Sequence, residues 1–456
     1  MAETSSNYYG YKGVVARLLS RAGAKPGDVV EVRRGDGSVF RGVLMPKHET
    51  SHPDTVVIKL DNGYNIGVLV GEGDDIVVKG SLRPGTPGAP VPLLEEPVQP
   101  AEERVYIIGA GGTIASRVDY ETGAVKPYLD ASELATTIPE LQRYASIEAE
   151  QLFSILSEDM KPRMWEAIVD RAARVLEAGY DGVVVAHGTD TMAFTASALS
   201  FAFHKGLPSP VILTGSQRSS DRPSSDAAFN LTASVLAASR APFAEVAVVM
   251  HGETGDTYAL AHRGVRVKKM HSSRRDAFQS VNDKPLARIY PFEGRVEMLR
   301  DDYRRRGESG LEVDNGFEER VALVKHFPGL ISEVVDALLD RGFKGIVVEG
   351  TGFGHVSSDA IKSIERARDQ GVPIVVTTQT VFGRVNLNVY STGRKMLAAG
   401  AIPAGDMTSE AAYAKLSWIL ARTRELEEVR KMFQRNLAGE ISERHTLRLY
   451  RHIGGV

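Results

Sequence analysis

Two short stretches hold the residue types from which nucleophilic chemistry can be built: Gly111-Gly112-Thr113-Ile114-Ala115-Ser116 and His187-Gly188-Thr189-Asp190-Thr191-Met192. Each threonine lies beyond an apolar run, Val105-Tyr106-Ile107-Ile108 in one case and Val183-Val184-Val185-Ala186 in the other. Such runs read as buried parallel strands, so both hydroxyls are expected at carboxyl ends of strands, where open α/β sheets place their ligands. Gly111 and Gly112 let backbone N–H groups approach a ligand closely. Thr189-Asp190-Thr191 precedes an apolar helical segment whose amino terminus favours anions and oxyanions. Thr214-Gly215-Ser216-Gln217 and His251-Gly252-Glu253 add polar groups at two further strand ends.

A threonine hydroxyl needs a base to take its proton. Candidates are His187, His251 and a lysine of Val265-Arg266-Val267-Lys268-Lys269-Met270. Period-2 alternation over that segment puts Val265, Val267 and Lys269 on one face and Arg266 and Lys268 on the other. Lys269 is then the inward lysine, and desolvation would draw its pKa toward neutrality, with Asp190 opposing.

Two motifs mislead. His48-Glu49-Thr50-Ser51-His52 spells a zinc-protease pattern, but Pro46 and Pro53 bracket it between expected strands, so it reads as a loop. Gly109-Ala110-Gly111-Gly112-Thr113-Ile114 begins like a dinucleotide fingerprint, yet Ile114 stands where close helix–strand packing wants a small residue. No Gly-x-x-x-x-Gly-Lys-Ser/Thr phosphate loop occurs.

The elements that must position these residues follow from the pattern along the 456 residues. Residues 27–80 read as five short strands separated by turns such as Asp61-Asn62-Gly63, suggesting a small SH3-like β-barrel. The expected domains are this barrel at 1–83, a Pro-rich linker at 84–102 and an active-site lobe at 103–300. A connection at 301–318, a second lobe at 319–438 and a tail at 439–456 complete the division. Strand–helix alternation, with strands at 105–109, 151–156, 182–187, 210–214 and 245–251, predicts a parallel sheet. Helices are expected at 162–178, 190–204 and 224–240, and one long helix from Ser409 to about Gln434.

Formal net charge is −3 and there is no cysteine, which argues against a dominant basic surface and excludes disulfides and thiolate chemistry. Basic runs at Arg266, Lys268, Arg274 and Arg275, and at Arg304-Arg305-Arg306, read as solvated faces. No apolar run approaches a membrane span, and the first residues lack a secretory pattern, so the cytoplasm is the expected location.

Gly111-Gly112-Thr113-Ile114-Ala115 and His187-Gly188-Thr189-Asp190-Thr191-Met192 resemble, in order and spacing, the two active-site signatures of the bacterial-type L-asparaginase/glutaminase superfamily. The resemblance runs from about 104 to 438 and takes in Ser157-Glu158-Asp159-Met160 and Gly383-Arg384-Val385-Asn386. It implies a two-lobed α/β asparaginase-like body, with Thr113 as nucleophile or its equal partner. Thr189, Lys269 and Asp190 would then be second hydroxyl, base and orienting acid, and Tyr120 a lid residue. Ser157 and Glu158 would hold the substrate's α-carboxylate and α-ammonium, although simple asparaginases often carry an amide where Glu158 stands. An oxyanion would be met by N–H groups around Gly112 and Thr189.

The β unit with its Pro-rich linker resembles the D subunits of archaeal glutamyl-tRNA(Gln) amidotransferases. That resemblance implies glutamine (or asparagine) hydrolysis supplying ammonia to a partner, the amidotransferase E subunit, which handles Glu-tRNA(Gln) and carries ATP and Mg. No cofactor or metal is expected on this chain, and a homodimeric core within a heterotetramer is implied. The alternatives are a free-standing L-asparaginase and a non-catalytic scaffold.

Overall fold

The computed structural model describes residues 8–45, 52–59, 65–81, 101–112, 116–118, 125–127, 138–218, 225–329 and 331–444. Two compact units emerge: Met1–Val98 with Ser116–Tyr128 and Arg218–Ser225, and Gln99–Ala115 with Leu129–Gln217 and Asp226–Val456.

In the first unit, β1 (Asp28–Arg33), β2 (Val39–Leu44), β3 (Thr55–Lys59), β4 (Asn65–Leu69) and β5 (Asp75–Ser81) form one antiparallel sheet in the order β4-β3-β2-β1-β5. Alternation buries Val30 and Val32 of β1 on one face, with Leu44, Val56, Ile58, Val68 and Ile76. A helix that the sequence reading missed, α1 (Gly13–Arg21), adds Val15, Ala16, Leu18 and Leu19 to that core. At nine residues it offers barely two turns of periodicity from which to be read. Residues 46–51, with His48 and Glu49, lie outside the described residues; β2 and β3, which flank them, are paired antiparallel.

The second unit is built on β6 (Arg104–Gly109), β9 (Ser146–Gln151), β10 (Gly182–Ala186), β11 (Val211–Thr214) and β12 (Val246–His251); of the chain between them, Ser116–Tyr128, with the hairpin β7 (Ser116–Val118) and β8 (Val125–Pro127), and Arg218–Ser225 belong to the other unit. The five strands are parallel in the order β9-β6-β10-β11-β12. The chain order therefore reverses between β6 and β10, the switch point at which such sheets open a crevice. An antiparallel extension, β13 (Ala259–Arg263), β16 (Ala287–Tyr290) and β17 (Arg295–Met298), completes an eight-stranded sheet.

Successive residues serve opposite cores. Ile108, Val183, Val185 and Leu213 pack with α2 (Pro162–Glu177) and α3 (Met192–Ala202), whereas Val105, Ile107, Val184 and Ile212 pack with α4 (Ala227–Arg240). Burial on both faces is why these strands are continuously apolar.

The expected strand at 151–156 is displaced: β9 ends at Gln151. As a sheet edge it is polar and half-exposed, and the apolar residues after it form a loop, with Leu152 and Phe153 donating to the Gly109 carbonyl.

The second lobe carries four parallel strands in sequence order, β18 (Val321–Lys325), β19 (Gly345–Gly350), β20 (Ile374–Thr378) and β21 (Ile402–Pro403). Helices α5 (Ile331–Asp340), α6 (Ala360–Asp369) and α7 (Ser391–Ala399) cover it. The single helix expected over 409–434 is two, α8 (Ser409–Leu420) and α9 (Leu426–Gln434). The break lets the buried Val429 and Phe433 of α9 fold back against α8. The faces of α3 and α8 meet through Phe194 with Tyr413 and Phe201 with Trp418.

The basic runs are only in part solvated faces: Arg274 and Arg305 are exposed, but Arg266, Arg304 and Arg306 are held by the fold. Arg304 donates to the carbonyls of Phe203 and His204 at the end of α3, and Arg306 to those of Ala238 and Ala241 at the end of α4. Lys415 does the same for Phe433 and Arg435 at the end of α9. Each places a cation on the negative end of a helix dipole and fills orphan carbonyls. Arg266 is 1% exposed and paired with buried Asp406 at 3.0 Å.

Candidate active site

The loops after β6, β9, β10 and β11 meet backbone against backbone at the switch point. Gly111 (φ +90°) and Gly112 (φ +84°) have no room for side chains: a Cβ would fall 2.2 Å from the Ile155 carbonyl oxygen and 2.3 Å from Gly188 Cα, respectively. A Cβ on Gly188 would strike Ser157, and one on Gly215 the His187 carbonyl and Thr189 Cγ2. The glycines are thus demanded by packing between loops.

This packing seats Thr189, 5% exposed, at the start of α3. Lys269 Nζ lies 2.8 Å from Thr189 Oγ1 and 2.8 Å from Asp190 Oδ1. The lysine side chain is 12% exposed and the aspartate 68%. A hydroxyl, an amine and a carboxylate thus stand in one chain of contacts, the amine within proton-transfer distance of the hydroxyl.

The other two base candidates do not reach the hydroxyl. The His187 ring is fully buried, with Nδ1 on the Gly188 carbonyl at 2.6 Å and Nε2 on Thr195 Oγ1 at 2.9 Å. Burial pulls its pKa down to about 4, so it is a neutral strut under the loop. His251 lies between Asn230 Oδ1 at 2.7 Å and Asp256 Oδ1 at 2.8 Å. That contact, with Arg275 adding to it, holds the Asp256 carboxyl below its usual range.

Ser157 and Glu158 open a single 3-10 turn, Ser157–Asp159. Ser157 is buried against Gly188, and its carbonyl accepts from Thr191 Oγ1 at 2.7 Å, tying this turn to the loop that carries Thr189. The Glu158 side chain is exposed. Thr113 and Tyr120 lie outside the described residues. The N–H of Gly112 donates to the Ile155 carbonyl at 2.9 Å. Among the described residues, the N–H groups of Thr189 and Asp190 make no hydrogen bond.

Sequence reasoning missed the buried network behind this site. Asp226 accepts the Gln217 N–H, and Asn230 Nδ2 donates to Asp226 and to the Gly215 carbonyl, so the loop that presses on Thr189 is held from α4. The one signal was Asn230 itself, a polar residue inside an apolar helix. Also revised is the segment 265–270: a 3-10 turn, Gly264–Arg266, precedes the short strand β14 (Val267–Lys269), so Arg266 lies buried while Lys269 still reaches the site. Among the described residues, no three His, Asp or Glu side chains gather as a metal site, and no helix is long and apolar enough to cross a membrane.

Three family models match the chain: "Asparaginase, N-terminal" over 104–304, "Glutaminase/Asparaginase C-terminal domain" over 320–433 and "GatD N-terminal domain" over 24–78. The glutamyl-tRNA(Gln) amidotransferase D subunit of Aeropyrum pernix is 98% identical over 427 residues, 94% of this chain and 100% of that protein. Its counterpart from Thermococcus kodakarensis is 53% identical over 440 residues, 94% of this chain and 98% of the relative. Among solved structures, the thermostable L-asparaginase from Thermococcus kodakarensis superposes with a TM-score of 0.67 at 36% identity, covering 75% of this chain and 100% of that one.

Proposed function

The chain belongs to the D-subunit family of glutamyl-tRNA(Gln) amidotransferases, and on that premise we propose that it releases ammonia from glutamine through a threonyl ester. The observation that carries this reading is the contact of Lys269 Nζ with both Thr189 Oγ1 and Asp190 Oδ1. Lys269 Nζ takes a hydroxyl proton while a threonine oxygen, of Thr113 or its partner Thr189, adds to the amide carbon. The tetrahedral oxyanion is met by the N–H groups at Thr189 and Asp190. The C–N bond breaks, the departing nitrogen takes the proton from Lys269, and ammonia leaves. Water, deprotonated by the same amine, then adds to the ester carbonyl; the C–O bond to threonine breaks, its oxygen takes the proton back from Lys269, and glutamate departs. Glutamine and water thus become glutamate and ammonia.

Ser157 and Glu158 would orient the amino-acid end, with Glu158 facing the α-ammonium, and Tyr120 would close over the site. Family membership makes this chain one component of a multi-subunit amidotransferase. The partner in this reading is the amidotransferase E subunit, in a heterotetramer around a homodimer of this chain, in the cytoplasm. The E subunit would bind Glu-tRNA(Gln) and use ATP with Mg to activate the carboxylate that ammonia attacks. The match of 24–78 to the GatD N-terminal domain favours this reading over a free-standing L-asparaginase.

The test is ammonia release from glutamine, with and without the partner and Glu-tRNA(Gln). Stimulation by both supports the assignment, and turnover indifferent to them returns it to an asparaginase.

A further inference from the structure

The strand that carries Lys269 is not part of the main sheet. Among the described residues β14 pairs only with β15 (Phe278–Ser280), in a separate two-stranded ribbon, and such a ribbon is marginal by itself. Something else must fix the lysine to the tenths of an ångström that proton transfer requires.

The two basic residues just before it reach into the second lobe. Arg266 has every donor group engaged: Nε on the Gly439 carbonyl at 2.8 Å, Nη1 on Asp406 Oδ2 at 3.0 Å and its carbonyl at 3.1 Å, Nη2 on Ser442 Oγ at 2.7 Å. Asp406 Oδ1 accepts the Ser442 N–H at 2.9 Å. Lys268 donates to Glu410 in the first turn of α8. The other Glu410 oxygen is buried and has no hydrogen-bond partner among the described residues, so Lys268 is the cation that balances this carboxylate. The far end of the ribbon is tied to the same place, because Val281 N–H donates to the Arg266 carbonyl and Asn282 Nδ2 to the Asp406 carbonyl.

We propose that Arg266 and Lys268 are positioning residues: through Asp406 and Glu410 they clamp the base-bearing ribbon to the amino-terminal end of α8, so that the second lobe sets the reach of Lys269. Neither touches the reacting atoms. Alternation turns Lys268 away from Lys269, toward the lobe that holds it.

The clamp rests on the glutaminase reading for its purpose, and the test separates the two. In the full chain, Lys268→Met and Glu410→Gln should lower kcat for glutamine about 10- to 100-fold, the scale of a misplacement near 1 Å, with KM within about twofold. Lys268→Arg, which keeps the charge, should recover most of the rate. Independently of turnover, acetic anhydride labelling of Lys269, followed by peptide mass spectrometry, should accelerate several-fold in Lys268→Met. A wild-type chain that releases no ammonia from glutamine overturns the reading of function, while the labelling ratio still decides the clamp. A labelling rate equal to wild type in both Lys268→Met and Glu410→Gln overturns the clamp.

Discussion

Thr189 Oγ1 and Lys269 Nζ, 80 residues apart in sequence, meet at 2.8 Å across the carboxyl edge of the sheet. The hydroxyl and the amine are both largely shielded from water, and the proposed reaction uses them as a hydroxyl–base pair. Removing either partner should remove the chemistry while leaving the surrounding cores intact. Thr189→Ala and Lys269→Ala are expected to lower kcat for ammonia release by about 10²–10⁴-fold, the contribution of a positioned base. Circular dichroism and thermal melting should remain near wild type, and near-wild-type turnover in either variant would exclude this pair from catalysis.

Asp190 separates catalysis from stability. Its side chain is 68% exposed, so its ion pair with Lys269 adds little to folding. Asp190→Asn should therefore leave the melting temperature almost unchanged and cost turnover by orienting Lys269 less well, about tenfold or more.

Glu158 is assigned to the substrate's ammonium, a contact made alike in ground and transition states. Glu158→Ala should raise KM for glutamine about 10- to 100-fold, the equivalent of a lost charged hydrogen bond, with kcat little altered. Steady-state kinetics decides this, and a fall in kcat at constant KM would assign Glu158 elsewhere.

His187 and His262 make stability depend on pH. Burial lowers their pKa values to about 4 and about 3, against 6.5 for an unconstrained ring. Between those values and 6.5 the unfolded chain binds protons that the folded one refuses, so stability rises with pH across that window. The contribution is complete above about 6.5 and is lost as pH falls toward 4 and 3, at up to about 1.4 kcal/mol per pH unit for each ring. Denaturant titrations from pH 7 to 4 should show the loss, and His262→Phe should flatten it.

Lys415 and Glu440 are both fully buried, 2.5 Å apart. Lys415→Met should destabilise the chain by about 3–5 kcal/mol, because it leaves a buried carboxylate unpaired and uncaps α9. Adding Glu440→Gln should recover part of the loss in a double-mutant cycle.

Much of the site was legible in local sequence. Buried parallel strands must be apolar on both faces, so Val105–Ile108 and Val183–Ala186 announced themselves, and the glycines and hydroxyls after them marked loops at the carboxyl edge. The apolar run 152–156 misled for the same reason: it looks like a buried strand, but it is a loop pressed under Gly111, while the true strand, at the sheet edge, is polar. The basic residues misled because charge in sequence does not reveal burial. Arg266, Arg304 and Arg306 are held inside by carbonyls and carboxylates that arrive from more than 35 residues away.

By itself the sequence determined the α/β body and the preceding β unit and marked the candidate site residues, since these depend on side-chain chemistry and on periodicities of a few residues. Only the tertiary structure decided which of the three candidate bases stands within reach of Thr189. It set His187 and His251 into buried hydrogen bonds of their own and brought Lys269 across on a ribbon anchored by Asp406 and Glu410. That choice is made by contacts between segments distant in the chain, and local pattern carries no record of them.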